Sequence, residues 1–92
     1  MANPNQKSSM QKQSPLSDAQ DAVNKAQRAV NEAQSHASST SVQQAENAVS
    51  RAWHAMTAAE SDENFSAVEQ AKEQLSQVQT DLAEAKNQIA EN

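Results

Sequence analysis

The sequence predicts an all-α protein: an up-down-up three-helix bundle with alanine-rich heptad seams, preceded by a disordered N-terminal tail. Three observations predict it. Apolar residues recur at alternating spacings of three and four in three separate segments, the pattern of a buried helix face. The phase of that pattern slips by two residues at 38–41 and again at 60–64, both rich in cap and turn residues. The 92 residues contain no glycine, which disfavours tight β-hairpin turns that need φ > 0. The division that follows is a tail over 1–14 and one domain over 15–92, with helices at about 15–37, 42–59 and 62–90.

Residues 1–14 are polar and lack apolar periodicity, so they cannot bury enough surface to offset their own ordering. The first helix starts at Ser14-Pro15: serine caps free N–H groups, and proline at the first helical position needs no partner. Ser17 with Gln20 offers a competing capping box. Asp18 and Asp21 suit the positive end of the helix dipole. Residues 19–37 read A-Q-D-A-V-N-K, A-Q-R-A-V-N-E, A-Q-S-H-A, a seven-residue unit written nearly three times. The seam is Leu16, Ala19, Val23, Ala26, Val30, Ala33 and Ala37. Ala22 and Ala29 widen it on one flank, and Gln20, Gln27 and Gln34 line the other. Asp21 and Lys25 form a favourable i,i+4 pair on the far side.

At 38–41 the residues Ser-Ser-Thr-Ser make a turn, and Ser41 with Gln44 forms a capping box for the second helix. Its seam is Val42, Ala45, Val49, Ala52, Met56 and Ala59. The acidic break at 60–64 follows, with Ser61 or Asp62 as the cap of the third helix. That helix carries the larger seam: Val68, Ala71, Leu75, Val78, Leu82, Ala85 and Ile89. Short connections make neighbouring helices antiparallel. Alanine and valine in the first two helices let backbones approach closely, and the third helix fills the remaining space. Being longest, it should overhang the 38–41 turn, where Ile89 either covers that turn, frays, or meets a second chain.

Composition narrows the function classes. Hydrophobic content is 36% and the only aromatic residues are Trp53 and Phe65, so the core is thin and a partner or self-association would complete it. Cysteine is absent, which removes disulfides and thiolate metal sites. No apolar run approaches the length of a membrane span, and the N-terminus lacks a signal-peptide core, so a cytoplasmic protein is expected. Net charge is −5, which disfavours nucleic acid and anionic membranes as partners.

Candidate chemistry is sparse. Glu32 and His36 are four apart, but one histidine and one carboxylate do not complete a metal site. The sequence fixes no acid/base pair and no Ser-His-Asp set, so no catalytic residue, metal or cofactor is expected, and no small-molecule substrate is evident. Trp53-His54-Ala55-Met56 is the most distinctive cluster. Trp53 reads chiefly as a boundary tryptophan near Met56 and Phe65, and secondarily as an anchor for a partner. Trp53, Met56, Phe65 and Ile89 are the candidate partner contacts. The glutamines at 20, 27 and 34 are placed to hydrogen-bond across helices or merely to flank the seam.

Four features carry a resemblance: A-E-N-A-V-S-R-A in the second helix, Met56, the acidic turn S-D-E-N-F, and A-V-E-Q-A-K-E-Q-L at 67–75. With them, 42–82 is similar to small uncharacterised helical proteins of Bacillus-type bacteria. The resemblance implies a cytoplasmic two- or three-helix protein linked to sporulation or stress, and carries over no functional residues. The function expected is a non-enzymatic helical interaction or structural protein that acts through helix–helix contacts with a protein partner or itself. The alternative is a hydrophilic stress- or sporulation-associated protective protein.

Overall fold

A computed structural model describes residues 14–91, with side chains through Ile89. The tail expected over 1–14 lies outside the described residues except for Ser14. Three helices make up the described chain: α1 (Pro15–Ser35), α2 (Ser39–Ala59) and α3 (Phe65–Glu91). Among the described residues there is no strand.

Each helix end has a local cause. Ser14 is extended (φ −93°, ψ 166°) and its side chain accepts from the Ser17 N–H at 3.1 Å, with Pro15 opening α1. Of the two caps the sequence offered, this one forms. At the other end His36 leaves helical geometry (φ −133°, ψ 69°) while its N–H still reaches the Glu32 carbonyl at 2.8 Å. Ala37, expected as the last seam residue, therefore falls outside the helix and is only half-buried.

The start of α2 corrects the expectation. It begins at Ser39, not near 42, because the capping box is Ser38 with Ser41 and not Ser41 with Gln44. The Ser38 side chain accepts from the Ser41 N–H, and the Ser41 hydroxyl accepts from the Ser38 N–H, both at 3.1 Å. The same Ser41 hydroxyl lies 2.8 Å from the His36 carbonyl, to which it donates, tying the end of α1 to the start of α2. The start of α3 is corrected the other way, from about 62 to Phe65. Neither Ser61 nor Asp62 caps it. Asp62 Oδ1 accepts from the Asn64 N–H at 2.7 Å inside the turn, and Asn64 Oδ1 accepts from the Ala67 N–H at 3.2 Å.

The three seams form one core. Every expected seam residue from Leu16 to Ala85 is buried apart from Ala37, and Ile89 packs partly buried against that core. Large and small residues alternate along it. Leu16, Val23 and Val30 alternate with Ala19, Ala26 and Ala33 in α1, and Val42, Val49 and Met56 with Ala45, Ala52 and Ala59 in α2. In α3 the alternation is looser: Val68, Leu75 and Leu82 are interleaved with Ala71 and Ala85, and Val78 is a further large side chain. Burying each large side chain stabilises by roughly 1.5–3 kcal/mol, while the alanines permit helix separations near the short end of about 8–10 Å. No polar or charged residue among those described is buried, so the core carries no desolvation penalty.

Polar contacts beside the seams record how the helices are aligned. Between α2 and α3, Glu46 Oε2 meets Lys86 Nζ at 2.7 Å, Trp53 meets Gln79 at 3.1 Å, and Glu60 Oε2 meets Lys72 Nζ at 3.6 Å. Each forward step of seven on α2 is a backward step of seven on α3. Between α1 and α3, Gln74 Nε2 donates to Gln27 Oε1 at 2.8 Å and to Asn24 Oδ1 at 3.3 Å. All three pairs of helices touch, α1 with α2 most extensively.

Candidate functional site

The seams determine what is left over for contacts. The residue after every second seam position lies on the flank between helices. On α2 these are Glu46, Trp53 and Glu60, which follow Ala45, Ala52 and Ala59. On α3 they are Lys72, Gln79 and Lys86, which follow Ala71, Val78 and Ala85. Seven residues before Lys72, the same stripe of α3 reaches Phe65, beyond the end of α2.

Two shallow depressions run along this α2–α3 face. Val49, Trp53, His54, Gln79 and Leu82 line one; Ser39, Val42, Gln43 and Ile89 line the other. The Glu46–Lys86 ion pair borders both. Apolar side chains thus form much of each floor, with polar groups at the rim.

The four candidate contact residues separate here. Trp53 is half-buried; its indole Nε1–H donates to Gln79 Oε1, and its carbonyl accepts from the Thr57 hydroxyl at 3.1 Å. The polar tip is satisfied while part of the ring remains available. Phe65 is 67% exposed, the exposed large hydrophobic residue of the described chain. It is not among the side chains packed against the core. Met56 is 1% exposed and belongs to the core, so it presents nothing to a partner. Ile89 packs partly buried against the core and lines the depression that Ser39 and Val42 also line.

The remaining polar candidates divide similarly. His36 Nδ1 lies 3.6 Å from Glu32 Oε2, with both side chains largely in water. Among the described residues no three His, Asp or Glu side chains cluster to hold a metal ion. Of the glutamine ladder, Gln27 accepts from Gln74, while Gln20 lines a polar depression with Gln70 and Gln74. Asn24, Gln74, Gln79 and the Glu46–Lys86 pair were not singled out from sequence; their signal is position one residue off a seam at seven-residue spacing. The arrangement is chemically suited to burying apolar area and to pairing amides and charges between helices.

No helix among the described residues is long and apolar enough to cross a membrane. Comparison of the chain with protein-family models, with curated sequences and with solved structures yields no match.

Proposed function

We propose that this is a non-enzymatic, cytoplasmic interaction or structural protein, an up-down-up bundle on alanine-rich heptad seams that works through helix–helix contacts. Its partner is another protein or a second copy of the chain. One observation carries the reading. The chain has two aromatic residues, Trp53 and Phe65, and neither is in the buried core; both lie on the α2–α3 side. A thin core built largely from alanine and valine would gain most from burying its aromatics, since each ring carries some 150–250 Å² of surface. Leaving Phe65 exposed and Trp53 only half-buried forgoes part of that stabilisation and keeps two aromatic side chains accessible, of the kind enriched at binding hot spots.

The order of the polar pairs supports the up-down-up arrangement, and the 3-4 burial pattern supports heptad packing. The test is sedimentation at several concentrations together with a pull-down from cell extract. Association or a specific partner, lost in a Trp53→Ala/Phe65→Ser double variant that keeps its helicity, supports the reading. A strictly monomeric chain with no partner sinks it.

A further inference from the structure

We propose that the basic segment 7–12 folds back onto the start of α3 in its own chain, with Met10 covering the exposed ring of Phe65 and Lys7 and Lys12 facing the carboxylates of Asp62 and Glu63. This contact goes beyond the reading above and does not depend on it, because the segment covers Phe65 whether or not a partner exists.

Phe65 opens α3 past the end of α2 and is 67% exposed, outside the set of side chains packed on the core. Just before it stand Asp62 and Glu63. Asp62 Oδ1 accepts from the Asn64 N–H, and neither carboxylate forms an ion pair among the described residues. Lys72 does not balance them: its Nζ is shared by Glu60 at 3.6 Å and Glu69 at 3.9 Å. The start of α3 therefore presents an open aromatic ring beside two negative charges without a counter-ion from the bundle.

The chain carries a segment that matches this surface. Its charges divide into two lysines and no acid over 1–13, against five lysines and arginines and twelve acids over 14–92. Both of those lysines lie in Lys7-Ser8-Ser9-Met10-Gln11-Lys12, with one large apolar side chain between them. Methionine suits an open ring, because its thioether is pliant and polarisable and contacts aromatics favourably. The segment also starts from the right place. It joins α1 through Ser14, and the first turns of α1 and α3 are neighbours: Gln20 and Asp21 line one depression with Ala67 and Gln70. Four extended residues from Ser14 to Met10 reach about 13–14 Å, more than the 8–10 Å or so between packed helices. Residues 1–13 have no apolar face of their own, and Phe65 supplies one. A tether this short gives the segment an effective concentration of the order of millimolar at Phe65, which favours it over the same segment of a second copy. Covering the ring withholds it from a partner, so the segment gates one of the two accessible aromatics.

The test uses the full chain with Ser9→Cys, which introduces the sole thiol, coupled to a nitroxide, and reads paramagnetic broadening of backbone amides by NMR. Broadening over 62–67 should be strong at about 0.01 M salt and lose most of its strength at about 1 M, as the screening length falls from roughly 30 Å to 3 Å. A segment that makes no contact broadens residues near Ser14 alike at both salts, so the salt-dependent excess is the signal. Lys7→Gln with Lys12→Gln should remove that excess, as should Phe65→Ser, and each should abolish a methyl-to-ring Overhauser contact between Met10 and Phe65. Broadening over 62–67 that neither salt nor loss of the two lysines alters overturns the proposal. So does broadening of an isotope-labelled, nitroxide-free chain mixed with the nitroxide-bearing one, since the segment then lies on a second copy. If Phe65→Ser loses its helicity, the salt series and the lysine variant still decide.

Discussion

The indole N–H of Trp53 in α2 donates a 3.1 Å hydrogen bond to the side-chain carbonyl of Gln79 in α3, across 26 residues of sequence. The bond is exposed, so water can replace either partner. Net contributions of hydrogen bonds lie near 0.5–1.5 kcal/mol, and this one belongs at or below the low end of that range. Gln79→Ala should therefore lower Tm by no more than about 4 °C, taking roughly 4–8 °C per kcal/mol for a domain of this size. Tryptophan emission should shift to the red as water reaches the indole. A collapse of the helical signal would mean that Gln79 supports the fold itself.

Leu75 should behave in the opposite way. It is fully buried at the centre of the α3 seam, among the largest side chains of a core otherwise rich in alanine. Leu→Ala at such a site costs about 2–5 kcal/mol, because lost transfer energy adds to a cavity. Total stabilities of small domains are about 5–15 kcal/mol. Leu75→Ala should consequently shift the urea midpoint by a large fraction of its value, measured by circular dichroism at 222 nm. The same experiment on the unaltered chain separates a folded bundle, which melts cooperatively in dilute buffer, from a protective protein that would show a coil spectrum there.

These contrasts show which parts of the fold were legible in the sequence. Seam membership was readable because burial follows a 3-4 spacing: Leu16 through Ala33, Val42 through Ala59 and Val68 through Ala85 are buried as the spacing requires. The exposure of Phe65 was readable too: the α3 seam extrapolated backward runs through 64 and 61, which leaves 65 one residue off it. Helix starts were less legible. Four hydroxyl residues at 38–41 offer equivalent capping patterns, and the choice of Ser38 depends on how His36 ends α1. The Trp53–Gln79 and Gln74–Gln27 contacts require the alignment between helices, which each helix's own periodicity leaves undetermined.

The reciprocal Ser38–Ser41 cap makes a local prediction. Replacing an N-cap serine by alanine costs about 0.5–2 kcal/mol. Ser38→Ala removes the acceptor for the Ser41 N–H and one half of a mutual pair. Gln44→Ala, expected from sequence to matter as a box partner, should be nearly neutral. Urea titration of the two variants checks the assignment; a larger loss for Gln44→Ala would contradict it.

The Glu46–Lys86 pair is short at 2.7 Å, yet its side chains are 42% and 53% exposed. Exposed ion pairs contribute about 0–1 kcal/mol and weaken with salt. A double-mutant cycle with Glu46→Gln and Lys86→Gln should give a coupling below about 1 kcal/mol that shrinks further in high salt. A coupling of several kcal/mol that salt left unchanged would mean that the pair is shielded from water.

Ala26 tests whether the alanine seam of α1 is a wall of the bundle or a free strand for another chain. Its side chain is 0% exposed, midway between Val23 and Val30. Adding the atoms of leucine to a filled interior forces neighbouring side chains out of their rotamers or pushes helices apart, at a cost of about 1–3 kcal/mol. Ala26→Leu should therefore lower Tm by tens of degrees at most, with loss measured by thermal circular dichroism and no gain in association by sedimentation. If α1 instead paired freely with a second chain, the same leucine would enlarge an apolar stripe and strengthen the dimer. The two outcomes differ in sign, so one variant and two measurements separate them.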